Sequence, residues 1–319
     1  MTRAFVFPGQ GSQAVGMGRD LAAAFPAARE VFEEVDEALK QKLSRIMFEG
    51  PETELVLTAN AQPALMAVSV AVVRVLQQEA KLDLGRHAKF VAGHSLGEYS
   101  ALAAARTFSL ADTARLLRLR GEAMQKAVPV GTGAMAALLG LDLEAAQAVA
   151  KEAAKNPEDG KDEVVQTAND NAPGQVVVSG AKAAVERALE IAKTKGAKRA
   201  ILLPVSAPFH CALMQPAAEA MAEALERTMM APPLVPLVAN VTASSISDPL
   251  TIRDLLVKQV TAMVRWRESA LYMKSQGVTT LVELGAGKVL TGLAKRIDGE
   301  LSGIAVNGPA DIEAFAKTL

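Results

Sequence analysis

Ser95 lies in Gly93-His94-Ser95-Leu96-Gly97, a G-x-S-x-G pentapeptide. The apolar run Phe90 to Ala92 enters it and the helix-compatible stretch Glu98 to Ala105 leaves it, so the segment reads as strand, sharp turn, helix. In that setting the pentapeptide is a nucleophile elbow, with the serine in a strained turn beside the first N–H groups of the new helix. The same five residues without those flanks would be a tight turn with a capping serine. A serine nucleophile needs a base, and the chain has three histidines. His94 occupies the variable position of the elbow and is expected to point away from Ser95, while His87 sits in a polar stretch ahead of the strand. His210, at the end of Ser206-Ala207-Pro208-Phe209-His210-Cys211, is the candidate base by elimination. Cys211 is the alternative nucleophile, but nothing around it suggests activation, and it reads as a lone, partly buried cysteine.

A tetrahedral intermediate on Ser95 would need two donors for its oxyanion. Leu96, the residue after the nucleophile, can supply one main-chain N–H, and the second must come from another loop. Pro8-Gly9-Gln10-Gly11-Ser12-Gln13, which follows the strand Ala4 to Phe7, has the composition of a tight loop with free N–H groups. Arg120 supplies a different clue. On the helix that starts near Ser109-Leu110-Ala111-Asp112, Arg115, Arg118, Glu122 and Lys126 form one stripe, and Leu116, Leu117, Arg120, Met124 and Ala127 form the other. A guanidinium on the apolar stripe must snorkel outward, pair with a distant acid, or await an anionic ligand, for which a carboxylate suits its two-pronged donor edge. Together these residues describe acyl transfer to a serine from a substrate that carries a carboxylate.

The elements that position them follow from patterning. Half of the residues are hydrophobic and only 4% are aromatic, so Ala, Val and Leu must fill the core. Leu21 to Phe48 is expected as one helix from its 3.6-residue period. Thr58 to Pro63 is expected to open a second helix with Pro63 in its first turn, and Ala64 to Leu76 is apolar nearly all round, as in a buried helix. From Gly133 the order becomes strand, helix, strand, strand, helix, strand. These are Met135 to Gly140, Leu143 to Ala154, Val164 to Ala168, Gln175 to Ser179, Ala181 to Lys195 and Arg199 to Val205, with Asn169 to Gly174 as the turn of the central hairpin. That order predicts an α/β protein in which a ferredoxin-like (βαββαβ) subdomain, residues 128–197, is inserted into a larger α/β-hydrolase-like domain with a parallel sheet, residues 1–127 and 198–319. Val235 to Ala239 and Thr280 to Leu284 read as further strands, and Ile252 to Val260 and Ser269 to Gln276 as helices. Leu284-Gly285-Ala286-Gly287-Lys288 is a second glycine-rich strand-to-helix turn. It lacks the spacing of a phosphate or dinucleotide loop and is expected to serve packing.

Phe7 to Gln13, Gln62-Pro63-Ala64, Gly93 to Tyr99, Arg120-Gly121, Gly131 to Met135, Asn171 to Gln175 and Phe209-His210 occur in this order. The series resembles the malonyl-CoA:acyl-carrier-protein transacylase family of bacterial fatty acid synthesis over essentially the whole chain. The resemblance implies a ping-pong reaction in which Ser95 takes the malonyl group with His210 as base and the N–H groups of Gln10 and Leu96 hold the oxyanion. It further implies that Arg120 grips the malonyl carboxylate, that a main-chain carbonyl near Gln259 orients His210, and that Asn171 and Gln62 support the site. The expected partners are malonyl-CoA and a carrier protein bearing phosphopantetheine, with no cofactor or metal of the enzyme's own. Ala286 and Ala172 depart from the residues frequent in relatives, and Phe209 matches a malonyl-selective pattern.

A net charge of −1 gives no reason to expect nucleic-acid binding, one cysteine excludes an internal disulfide, and the N-terminal stretch lacks a signal-peptide pattern. A cytoplasmic monomer without membrane association is the expectation. The rivals are a serine hydrolase, for which a carboxylate clamp has no use, and a binding scaffold without chemistry, for which Ser95 and His210 have none.

Overall fold

Short runs of β-branched and apolar residues that stay covered on both faces become the central strands of a parallel sheet. The computed structural model describes residues 2–319, and ten strands form among them. They are β1 (Arg3–Phe7), β2 (Phe90–Gly93), β3 (Gly133–Leu139), β4 (Val165–Ala172), β5 (Gln175–Ala181), β6 (Arg199–Leu202), β7 (Leu237–Ala239), β8 (Ser244–Ile246), β9 (Thr280–Leu284) and β10 (Ser302–Val306). The larger sheet runs β10-β9-β1-β2-β7-β8, parallel throughout except for the antiparallel edge strand β8. Ala4 to Phe7 of β1 are wholly buried at its centre, with alternate side chains feeding the hydrophobic clusters on opposite faces. Phe7 pairs with Gly93, so the loop after β1 and the elbow after β2 leave the sheet side by side at its carboxyl edge. That register places Gln10 beside Ser95, where ligands bind in open α/β sheets.

The second sheet, β4-β5-β3-β6, is antiparallel, and the helices Leu143–Ala153 and Lys182–Thr194 share a hydrophobic cluster with it. The strand–helix order expected for this region is observed, with one change. β4 runs on to Ala172, so Asn169, Asp170 and Asn171 belong to a strand, not to a turn. Polar residues tolerate this strand because Asp170 N–H donates to the Val264 carbonyl at 3.0 Å and its carboxylate pairs with Arg267 at 2.8 Å.

The expected single helix over Leu21 to Phe48 is three: Arg19–Ala24, Pro26–Leu39 and Leu43–Glu49. Pro26 breaks the ladder after the first, and Lys40, in the left-handed region at φ 50°, ends the second. Pro63 falls inside the Thr58–Glu79 helix, one turn later than expected. That helix is long and apolar enough to cross a bilayer, but 89% of its most apolar window is buried in the protein, so its composition serves the core. β8 and β10 had no counterpart in the sequence reading. β8 is three residues long, and β10 exposes or half-exposes all but Val306.

Candidate active site

The elbow is set by close packing. A Cβ on Gly93 would sit 1.9 Å from the Gly97 main-chain carbon, so only glycine lets the new helix fold back on β2. Ser95 adopts φ 53°, a left-handed conformation that costs about 1–2 kcal/mol in a residue other than glycine. Asn240, at the end of β7, braces it: Oδ1 accepts the Ser95 N–H at 2.8 Å and Nδ2 donates to the Gly93 carbonyl at 2.7 Å. The main-chain N–H groups of Gln10 and Leu96 make no hydrogen bond to the protein among the described residues, and both residues line the cleft of about 660 Å³ onto which Ser95 opens.

His210 also sits in the left-handed region, at φ 60°, and its Nε2 lies 2.8 Å from Ser95 Oγ. Its Nδ1 faces two carbonyls, Gln259 at 2.9 Å and Ala262 at 3.2 Å. Carbonyls only accept, so Nδ1 carries the proton and the Nε2 lone pair meets the serine hydroxyl. Burial, then the Arg120 charge, lowers the pKa of His210 to about 3, and the imidazole is neutral and able to act as a base throughout the physiological range.

Arg120 is 1% exposed and does not snorkel. The Leu110–Lys126 helix that carries it approaches the Thr58–Glu79 helix closely at Gly121, where a Cβ would meet Ala59 Cα at 2.6 Å. Nη1 then donates to Gln62 Oε1 at 2.8 Å, and Nη2 donates to Gln259 Oε1 at 2.9 Å and to Ser95 Oγ at 3.1 Å. Both amide partners are neutral. No carboxylate forms an ion pair with this guanidinium among the described residues, and its Nε has no protein partner. Arg120 is thus a buried cation held by amides beside a serine hydroxyl, without the acid partner that burial of a charge ordinarily demands.

The model of the acyl transferase domain family matches residues 4–299. The chain is 49% identical to the malonyl CoA-acyl carrier protein transacylase of Escherichia coli, over 98% of this chain and 97% of that one. It is 48% identical to the enzyme of the same name from Bacillus subtilis, over 99% and 96%. The chain belongs to the malonyl-CoA:acyl-carrier-protein transacylase family. It is therefore an acyltransferase. Among solved structures, the acyl-carrier-protein-S-malonyltransferase of Bartonella henselae superposes with a TM-score of 0.95 at 58% identity, covering 100% of this chain and 99% of that one. A malonyl-transacylase solved in complex with a type II PKS acyl-carrier protein superposes with a TM-score of 0.94 at 45% identity, covering all of both chains.

Within this transacylase fold every site residue expected from the sequence lies at or next to one cleft. Gln62 reaches it twice over: besides holding Arg120, its Nε2 donates to Thr58 Oγ1 at 2.9 Å, and Thr58 donates in turn to Gln10 Oε1 at 2.9 Å. Gln259 contributes its own carbonyl to His210 and its side chain to Arg120. Asn171 does not reach Ser95. Its Oδ1 accepts from His94 Nε2 at 2.8 Å, and His94 packs its ring 6.0 Å from that of Trp266. His94 makes no hydrogen bond to Ser95, but it lines the cleft onto which Ser95 opens. Cys211 is fully buried and donates to the Pro208 carbonyl, and burial pushes its thiol pKa up, which leaves it inert. Asn240, Ala262, Thr58 and Glu98 were not singled out from the sequence. For Glu98 a signal existed: it is the one charge in Gly97–Ala104, a helix otherwise made of small, apolar and aromatic residues and one serine.

Proposed function

We propose that the enzyme moves the malonyl group from malonyl-CoA to the phosphopantetheine thiol of an acyl carrier protein, in two half-reactions through a malonyl ester on Ser95. In the first, Ser95 Oγ attacks the thioester carbonyl while its proton passes to His210 Nε2. The oxyanion accepts from the Gln10 and Leu96 N–H groups. Collapse breaks the C–S bond, and the coenzyme A sulfur leaves with the proton from His210. In the second, the carrier thiol gives its proton to His210 and attacks the ester, and Ser95 Oγ leaves with that proton. Arg120 holds the malonyl carboxylate throughout, with Gln62 and Gln259 keeping the guanidinium in place, and His94, bonded to Asn171, lines the same cleft. The thiol is the partner's, so no cofactor of the enzyme enters. Water must stay out, because it would hydrolyse the ester before the thiol arrives.

The observation that carries this reading is the buried, amide-held Arg120 placed 3.1 Å from the serine hydroxyl. A general serine hydrolase gains nothing from it. The large sheet, with its serine elbow and distant histidine, is read as an α/β-hydrolase-like domain over 1–127 and 198–319. The small antiparallel sheet is read as a ferredoxin-like module over 128–197. The relatives' names point to fatty acid synthesis, and the relative solved with a type II PKS carrier protein favours a second reading, supply of a polyketide pathway.

The test is intact mass before and after malonyl-CoA, with a holo carrier protein then added. A malonyl adduct that Ser95→Ala abolishes and that the carrier removes is expected. Release of free malonate without transfer would establish a hydrolase instead. Arg120→Ala is expected to lower kcat/KM for malonyl-CoA by about a hundredfold, the loss of a charge-assisted bidentate contact, while acetyl-CoA still acylates Ser95.

A further inference from the structure

Arg120 has no acid in contact, yet a carboxylate reaches it through one amide. Glu98 is the second residue of the helix that leaves the elbow and is 1% exposed. Its Oε2 accepts from the Asn240 N–H at 3.0 Å and from Gln259 Nε2 at 2.9 Å. The Ser95 carbonyl only accepts and the Arg120 guanidinium only donates, so the end of the Gln259 amide turned to Ser95 and Glu98 is the NH2 group, and the end turned to Arg120 is the oxygen. That oxygen accepts from Arg120 Nη2, the same nitrogen that donates to Ser95 Oγ. Of the two N–H bonds of the Gln259 side chain, Glu98 takes one and the Ser95 carbonyl, at 3.0 Å, takes the other.

We propose that Glu98 is a positioning residue for recognition of the acyl donor's carboxylate: it anchors the Gln259 amide and thereby the place of the Arg120 guanidinium beside Ser95. This rests on the assignment of Arg120 made above. Withdrawing the Glu98 oxygen leaves a buried N–H with only the Asn240 Oδ1, at 3.4 Å, within reach, and the Gln259 side chain then shifts to regain an acceptor and draws its oxygen off the guanidinium. A displaced amide loosens the bond from Nη2 and lets Arg120 move from its place beside the serine. The effect falls on donors that carry a carboxylate and spares those that do not.

Two substitutions separate geometry from charge. Glu98→Gln removes the charge but keeps an oxygen able to accept both bonds, and Glu98→Asp keeps the charge but withdraws the oxygen by one methylene. Each is measured in the full-length enzyme beside the wild type and Arg120→Ala, as KM and first-turnover acylation of Ser95 with malonyl-CoA and with acetyl-CoA. Glu98→Asp is expected to lower the malonyl-to-acetyl ratio of kcat/KM about tenfold, mainly through KM for malonyl-CoA, the size of one charge-assisted hydrogen bond. Glu98→Gln is expected to keep the greater part of the ratio. A ratio in Glu98→Asp equal to wild type, or a ratio lower in Gln than in Asp, overturns the proposal. So does a fall of both donors together, which would make Glu98 structural only. If Arg120→Ala itself leaves the ratio intact, the assignment of Arg120 fails, and the role of Glu98 fails with it. If Arg120→Ala collapses the ratio and Glu98→Asp does not, Glu98 alone is excluded.

Discussion

Two glycine-rich turns stand at the carboxyl edge of the large sheet, on either side of β1, and both lead from a parallel strand into a helix. After β2 the helix start is left open: Ser95 projects into a cleft, and the Leu96 N–H has no protein acceptor. After β9 the start is already filled. Glu283, buried in that strand, accepts the Leu290 N–H at 3.2 Å and the Thr291 N–H and hydroxyl at 2.8 and 2.7 Å. A resident carboxylate occupies the place an anionic ligand would take. Glycine spacing alone does not distinguish a site from a joint, and what the preceding strand contributes at the helix terminus does.

The largest expected difference between the turns is steric. Gly93→Ala forces a Cβ to 1.9 Å from the main chain of Gly97, which cannot yield, so a loss of at least about 4 kcal/mol or failure to accumulate folded enzyme is expected. Gly285→Ala, at φ 136°, meets the Ser69 hydroxyl at 2.3 Å, a side chain able to turn, and is expected to cost about 2 kcal/mol, mostly backbone strain. Thermal melting of the two variants checks the order, and equal melting temperatures would erase the distinction. Glu283→Gln is a smaller change, with about 1 kcal/mol of stability lost from the helix terminus and first-turnover acylation by malonyl-CoA retained. A fall in that rate at unchanged melting temperature would place the second turn in the active site.

The smallest effect is in pH. His210 has its pKa lowered to about 3 from 6.5, so between these values the unfolded chain binds the extra proton and stability rises with pH. Glu98 is opposite: burial first of all raises it to about 7 from 4.5, against its bonds from Asn240 and Gln259 and the charge of Arg120. The folded state then holds the extra proton, and stability falls as pH rises from 4.5 to 7. Burial also raises Glu283, which adds to the fall, and lowers His94, which adds to the rise. The opposing slopes are expected to leave the melting temperature nearly flat between pH 4.5 and 6.5, where the two windows overlap. Glu98→Gln removes one falling component and should give a melting temperature that rises with pH across this interval. A curve of unchanged shape would show that Glu98 is not the proton-holding group.

Much of the site was legible because its signals are local. The elbow is written in consecutive residues, Arg120 shows itself as a charge on an apolar stripe, and His210 remains when two other histidines are set aside. The long apolar helix Thr58–Glu79 and the order of the small sheet were equally plain, since period and turn residues are short-range properties. Where the reading of Leu21 to Phe48 failed, it failed over caps: the apolar period continues across Pro26 and Lys40, while the chain bends at both.

What the sequence by itself determined was therefore which residues are candidates for the site and most of the elements that carry them. Only the tertiary structure decided how Arg120 is held. The stripe left open an outward turn, an acid partner or an anionic ligand, and how the guanidinium is held depends on Gln62 and Gln259, 58 and 139 positions away in the chain. Asn240 and Glu98 were invisible for the same reason. Each matters through hydrogen bonds to residues more than 140 positions distant, Asn240 to Gly93, Ser95 and Glu98, and Glu98 to Asn240 and Gln259. A hydrogen bond has a range of about 3 Å and a direction, and sequence separation carries neither until the sheet register has brought the strand ends together.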